Sequence, residues 1–258
     1  MQGMGIFNST FYERFRPFYP VGAFTGLREN LMARGFAEPF CVADIGCGTG
    51  HSSVSLFKTG ILARVIGVDS DPSMLARARE LSSGYHAEFR EGSGEQSGLD
   101  SASMDAVVVA SAFHWMDPVK AESEFRRILK PNGIVRIIEY QFPKAKNHPV
   151  LNEWIRRQFN LEWKAPAQIP RGDFSQVTAV FRNQNWSFLG EAKPLMIEFL
   201  GSEEVAGLIL SQSRVLHYEE TLKDRSRFHA ELIATISEMM GTDKFEFDFK
   251  LAWAEFGV

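Results

Sequence analysis

The stretch Phe40-Cys41-Val42-Ala43-Asp44-Ile45-Gly46-Cys47-Gly48-Thr49-Gly50 constrains the fold of this chain more than any other. A short apolar run ends in an acid and gives way to glycines at alternate positions, the pattern of a buried strand that breaks into a loop. Glycine tolerates positive φ there and lets a ligand approach the backbone closely. The segment His51-Ser52-Ser53-Val54-Ser55-Leu56-Phe57 then opens a helix whose N-terminal amides point toward that loop. Strand, glycine turn and helix form a nucleotide-site pattern, although many α/β domains turn on glycines without binding anything. The next strand, Arg64-Val65-Ile66-Gly67-Val68-Asp69, ends in a carboxylate about twenty residues past the glycines, where such sites meet a ribose hydroxyl pair. Ser70 and Asp71 are both able to cap the helix that Pro72 opens, which leaves Asp69 for a ligand. A dinucleotide fingerprint needs glycine at the first, third and sixth loop positions, whereas position 51 is histidine, and this argues against NAD or FAD.

The chain then alternates strand and helix. Asp71 to Ser82 reads as a helix with Met74, Leu75, Ala78 and Leu81 on its core stripe, and His86 to Glu91 as a short third strand. A flexible segment, Gly92 to Gly98, follows at a strand's carboxyl end, where open α/β sheets bind ligands. Ala106 to Ala110 is apolar without alternation, as in a strand covered on both faces. Asp117-Pro118 starts a helix, and Lys130-Pro131-Asn132-Gly133 turns into a fifth strand, Ile134 to Tyr140. Such alternation predicts a doubly wound, mostly parallel sheet.

Before the first strand, Phe11 to Pro20 is dense in aromatics and arginine, an arm that packs on the domain, covers the ligand as a lid, or does both. Val21 to Gly35 reads as an amphipathic helix with Leu27 and Leu31 on one side. Beyond Tyr140 the alternation stops. Helical segments at Asn147 to Trp163 and Phe174 to Arg182 flank a proline loop, Pro166 to Pro170, in an insertion placed to cap the ligand end. Lys193 to Leu200 reads as a sixth strand, Glu203 to Ser213 and Leu222 to Met240 as helices, and Phe245 to Trp253, apolar at odd positions, as a strand with one buried face. The organisation expected is an arm and helix (1–36), a ligand-binding core (37–142), a helical cap insertion (143–185), and C-terminal strands with further cap helices (186–258).

A formal charge of −4 over 258 residues gives no basic field for nucleic-acid phosphates. Cys41 and Cys47 are the only cysteines, without the paired spacing of a zinc site, and read as free thiols in a reducing cytosol. No run approaches the roughly eighteen apolar residues of a membrane span, so a cytoplasmic protein with no membrane partner is expected.

The pattern Asp-x-Gly-x-Gly-x-Gly at 44 to 50 followed by Gly67-Val68-Asp69 resembles motif I and the acidic loop of class I S-adenosylmethionine-dependent methyltransferases. Phe113-His114-Trp115-Met116-Asp117-Pro118, Phe125 to Gly133, and the arm Tyr12 to Pro20 resemble the small-molecule group typified by trans-aconitate methyltransferases and related carboxyl methyltransferases. The matches cover residues 11 to 140 nearly end to end. One departure is Ser93-Gly94-Glu95, where that group commonly has Asp-Ala-Glu, leaving a serine hydroxyl to meet adenine.

The resemblance implies a Rossmann-like sheet of seven strands with the last antiparallel, plus a helical cap. It implies S-adenosyl-L-methionine as cofactor and S-adenosyl-L-homocysteine as product, in a cleft lined by Asp44, Gly46, Cys47, Gly48, Asp69, Ser70, Met74, Ser93, Gly94 and Ala110. Transfer from a sulfonium is an in-line displacement that asks the protein to align the partners and exclude water, with no metal. The acceptor is a small molecule: a carboxylate needs no base, whereas a hydroxyl wants one, and His114 is placed either for that role or for a structural one. Tyr12, Arg16, Tyr19 and Trp115 are candidates for the lid or for substrate contact, with Arg16 able to pair with an acidic substrate. The other reading is a sensor or partner protein that binds S-adenosylmethionine without catalysis.

Overall fold

A computed structural model describes residues 9–163 and 174–258. The expected apolar runs become parallel neighbours: β1 Phe40–Ile45, β2 Ala63–Asp69, β3 Ala87–Glu91, β4 Met104–Ala110 and β5 Leu129–Tyr140. They lie in the order β3-β2-β1-β4-β5, so the winding reverses between β1 and β4. A crevice opens at that reversal, outside the carboxyl ends of the strands. Four strands follow: β6 Lys144–Ala145, β7 Ser187–Ala192, β8 Leu195–Leu200 and β9 Phe245–Gly257. The long β9 runs antiparallel to β5 and, on its other side, to β7, which completes a main sheet of β1 to β5, β9 and β7. The first half of β9 reaches past that sheet to pair with β6 and β8.

The helices are α1 Ser9–Phe15, α2 Leu27–Ala33, α3 His51–Phe57, α4 Pro72–Leu81, α5 Pro118–Ile128, α6 Pro149–Arg157, α7 Phe174–Asn183, α8 Ser202–Leu210, α9 Ser213–Glu219 and α10 Arg225–Met240. Both faces of the central strands are covered, which explains their unbroken apolar sequences. Val107 and Val109 of β4 pack with Phe125 of α5 and Phe181 of α7, while Ala106 and Val108 pack with Leu27 and Leu31 of α2 and Leu56 of α3. A separate core under α6, α8 and α10 is built on Phe247 and Phe249 from the first half of β9, and it takes in Trp154, Phe159 and Trp163.

The structure corrects several expectations. The helix expected from Val21 to Gly35 begins only at Leu27, because Gly26 sits at φ +81 and interrupts it after a 3-10 turn at Val21–Ala23. The strand expected at Lys193 to Leu200 is β8, which pairs with the outer half of β9, and the outer position of the main sheet belongs to β7. The fifth strand expected from Ile134 begins at Leu129, with a register shift opposite Met104 to Ala106 that takes up Lys130 to Gly133. The helix expected at Glu203 to Ser213 is divided at Ser211 and Gln212 into α8 and α9. The loop Pro166 to Pro170 lies outside the described residues.

Candidate functional site

The glycine loop is held from both sides. Gly46 and Cys47 donate their amides to the Val68 carbonyl at 2.7 and 3.1 Å, so the loop starts pinned to β2. Gly46, Gly48 and Gly50 all have positive φ, which only glycine adopts without strain. A Cβ on Gly46 would lie 2.4 Å from the Ala112 Cβ, so the loop touches the segment after β4, and a Cβ on Gly48 would lie 4.0 Å from the Tyr12 ring. Gly94 is buried against Met116, whose side chain also flanks Gly46. The carboxyl ends of β1 and β4 and the loop after β3 therefore converge on one crevice.

Two acids stand in it. Asp44 Oδ2 accepts from the Ser52 and Ser53 hydroxyls at 2.6 Å each, and Oδ1 is buried with no hydrogen-bond partner. Burial raises the Asp44 carboxyl to about 6 against the pull of both serines. A buried, half-satisfied carboxylate is costly unless a donor or cation meets it. Asp69 is more accessible, but it is not free as expected: Oδ2 accepts from the Gly48 amide at 2.8 Å and Oδ1 from the Asp71 amide at 3.0 Å. Each ionised oxygen keeps acceptor capacity for a hydroxyl. The α4 cap is Asp71, which accepts from the Ser73 amide, while Ser70 is exposed and makes no cap. Met74 and Ala110 are buried, and Cys47 is a buried thiol that desolvation pushes well above its ordinary pKa. The Ser93 hydroxyl oxygen accepts from the Glu95 and Gln96 amides, which shapes the loop after β3.

Next to the crevice lies a cavity of about 460 Å³ that brings together Tyr12, Arg16, His114 and Trp115. That volume is in the range of small-molecule sites. The arm forms one wall. Arg16 donates to the Ser211 hydroxyl, the Ser211 carbonyl and the Tyr140 hydroxyl, each at 2.9 Å, and its guanidinium stacks 4.9 Å over the Tyr12 ring. Burial pushes the Tyr12 phenol up to about 12, so it stays protonated. Tyr19 does not line the cavity and instead packs edge-on against Tyr140. Phe15 lies against Gly207 of α8 and Glu13 pairs with Arg77 of α4 at 2.6 Å, so the arm bridges the sheet domain and the outer helices.

The cavity also holds residues that sequence reasoning did not single out: Glu139, Gln212, Ser213, Lys193 and Lys250. Only Glu139 left a signal, since it closes a strand whose carboxyl end faces the crevice. Among the described residues, no carboxylate lies within ion-pair distance of Arg16, Lys193 or Lys250, and the acid on the wall, Glu139, is engaged by His114 at 3.1 Å. The cavity therefore carries an excess of positive charge.

Comparison with known proteins points the same way. A family described as a methyltransferase domain matches residues 43–137. An uncharacterized methyltransferase of Mycobacterium bovis is 37% identical over 127 residues, 49% of this chain and 48% of its own length. Trans-aconitate 2-methyltransferase of Escherichia coli is 30% identical over 113 residues, 42% of each chain. The chain thus spans about half the length of the curated relatives it matches. A solved structure described as a putative type II methyltransferase from Anaeromyxobacter dehalogenans shares the fold, with a TM-score of 0.69 at 20% identity over 93% of this chain and 97% of that one.

Proposed function

We propose that this chain, whose residues 43–137 match a methyltransferase domain and whose fold is shared with a solved methyltransferase, moves a methyl group from S-adenosylmethionine to a small, negatively charged acceptor. The observation that carries this reading is the position of Tyr12, whose ring lies 4.0 Å from where a Cβ on Gly48 would sit and which also walls the cavity that holds Arg16. The cofactor crevice and the acceptor cavity are thereby neighbours across one side chain.

The residues present fit the cofactor. The unpartnered Oδ1 of Asp44 suits an ammonium at the amino-acid end, and Asp69 at the tip of β2 suits a ribose hydroxyl pair. Gly48, at φ +53, holds a backbone shape that a side chain would strain, which leaves the loop bare for close approach. When bound, S-adenosylmethionine supplies a methyl group on a positively charged sulfur, already activated for displacement. What remains for the protein is alignment and exclusion of water. Tyr12 and Arg16 serve both, since Arg16 is tied to Ser211 and Tyr140 and both residues wall the cavity. Lys193 and Lys250 give the cavity the field that attracts an anion.

The test is a thermal-shift comparison on the full chain. S-adenosylhomocysteine should raise the melting temperature and NAD should not, because only a ligand of the native state adds stability by mass action. Asp69→Ala should lose at least about tenfold in affinity, the worth of one charge-assisted hydrogen bond. A shift by NAD alone would remove the reading. Tight S-adenosylhomocysteine binding without transfer to any anionic acceptor would point to a sensor instead.

A further inference from the structure

The cavity contains one arrangement that transfer to a carboxylate would leave idle. His114 Nδ1 and Glu139 Oε1 lie 3.1 Å apart, their side chains are only 19% and 17% exposed, and both line the cavity. They sit at the carboxyl ends of adjacent strands. His114 sits in the 3-10 turn just after β4 and Glu139 near the end of β5, and the pairing of Ala110 with Ile138 brings the two strand ends level. An ionised carboxylate only accepts, so Glu139 fixes a hydrogen on Nδ1 and leaves the Nε2 lone pair available. Nε2 makes no hydrogen bond to any described residue. A carboxylate holding one nitrogen of an imidazole that lines a ligand cavity is the arrangement of an oriented general base.

We propose that His114 is the general base, that Glu139 is its positioning residue, and that the acceptor atom is a hydroxyl oxygen. This rests on the methyltransferase reading above and deepens it. An acceptor carboxylate is ionised at neutral pH and needs no base, whereas a hydroxyl gains nucleophilicity as its proton leaves. The negative charge that suits Arg16, Lys193 and Lys250 then belongs to a second group on the same molecule, and the substrate class is a hydroxylated carboxylic acid. In the step, an oxygen lone pair forms the new O–CH3 bond and the C–S pair stays with sulfur, whose positive charge is lost. The hydroxyl proton passes to His114 Nε2 and from there to solvent.

The experiment incubates the full chain with tritiated S-adenosylmethionine and a panel of hydroxylated carboxylic acids, so that each probe offers both oxygens. Label that survives mild base as a methyl ether is the expected result. Label released by base as volatile methanol marks an ester and overturns the proposal while leaving methyl transfer standing. No product from a protein that binds S-adenosylhomocysteine overturns the substrate class, whereas failure to bind it overturns the underlying reading. Glu139→Gln should lower kcat by about a hundredfold or more with little change in KM. Independently of activity, nitrogen-15 histidine spectra near about pH 8 should show His114 carrying its hydrogen on Nδ1 in the wild type and a shifted tautomer balance in Glu139→Gln. A wild-type His114 with its hydrogen on Nε2 overturns the assignment.

Discussion

Asp44 shows how much of this site is electrostatic stress awaiting a partner. Desolvation holds its carboxyl near 6, above the roughly 3.9 of an unfolded chain, despite two serine hydroxyls. The native state therefore binds this proton more tightly than the unfolded state does. Its contribution to stability is fully present below about pH 4 and is lost as pH rises through about 6, by roughly 2 to 3 kcal/mol. Asp44→Asn should accordingly gain melting temperature relative to the wild type, with the gap widening between about pH 4 and 7. A bound ammonium has the opposite effect, since it favours the ionised form. S-adenosylhomocysteine should bind the wild type more tightly as pH rises from about 5 to 7, with a flatter profile for Asp44→Asn, both measured by calorimetry. A pH-independent wild-type affinity would show that no cation meets Oδ1.

At the scale of elements, the turn from β1 into α3 works only if the loop can lie flat against the segment after β4. Gly46 combines φ +71 with a would-be Cβ 2.4 Å from the Ala112 Cβ, whereas Gly60, at φ +82, has open space around it. Gly60→Ala should therefore cost about 1 kcal/mol for its backbone alone, and Gly46→Ala about 2 to 4, measured by denaturant unfolding. Equal costs would mean that the loop is not docked as described. The same contrast explains what the sequence made legible. Asp44, Gly46, Gly48 and Asp69 announce themselves because strand, turn and helix chemistry is written in neighbouring residues, and the alternation of β9 announces a half-buried strand. The pattern fails at β7, Ser-Phe-Leu-Gly-Glu-Ala, because that strand is partly exposed on both faces and is fixed by its partner β9 rather than by its own periodicity. The cavity wall was still less visible. Lys193, Gln212 and Lys250 occupy unremarkable positions in three different segments, and only the path of β9 and the break between α8 and α9 bring them to Arg16.

Across the whole molecule, the arm that walls the cavity is registered from the opposite end of the chain. Arg136 of β5 and Glu255 of β9 are strand partners with no exposed surface, and they form an ion pair inside the sheet's helical cover. Arg136 also donates to the carbonyls of Ala23 and Thr25 at 3.1 and 3.0 Å, and Asn30 donates to Glu255 at 2.5 Å. The Trp253 indole donates to the Gly22 carbonyl at 3.0 Å, so the segment between the arm and α2 is bound directly to β9. Removing one partner of such a pair leaves a buried charge uncompensated, which costs about 3 to 5 kcal/mol, whereas replacing both with apolar residues of similar volume is often neutral. Arg136→Met should therefore lower the melting temperature by roughly 10 °C for a chain of this size. Adding Glu255→Leu should recover most of that loss even though a second polar group has gone, because the unpaired carboxylate is then removed as well. The decisive quantity is the sign of the coupling in the double-mutant cycle, read from thermal melts. If the double variant is less stable than Arg136→Met alone, Glu255 contributes through the bond it accepts from Asn30 rather than as the partner of Arg136.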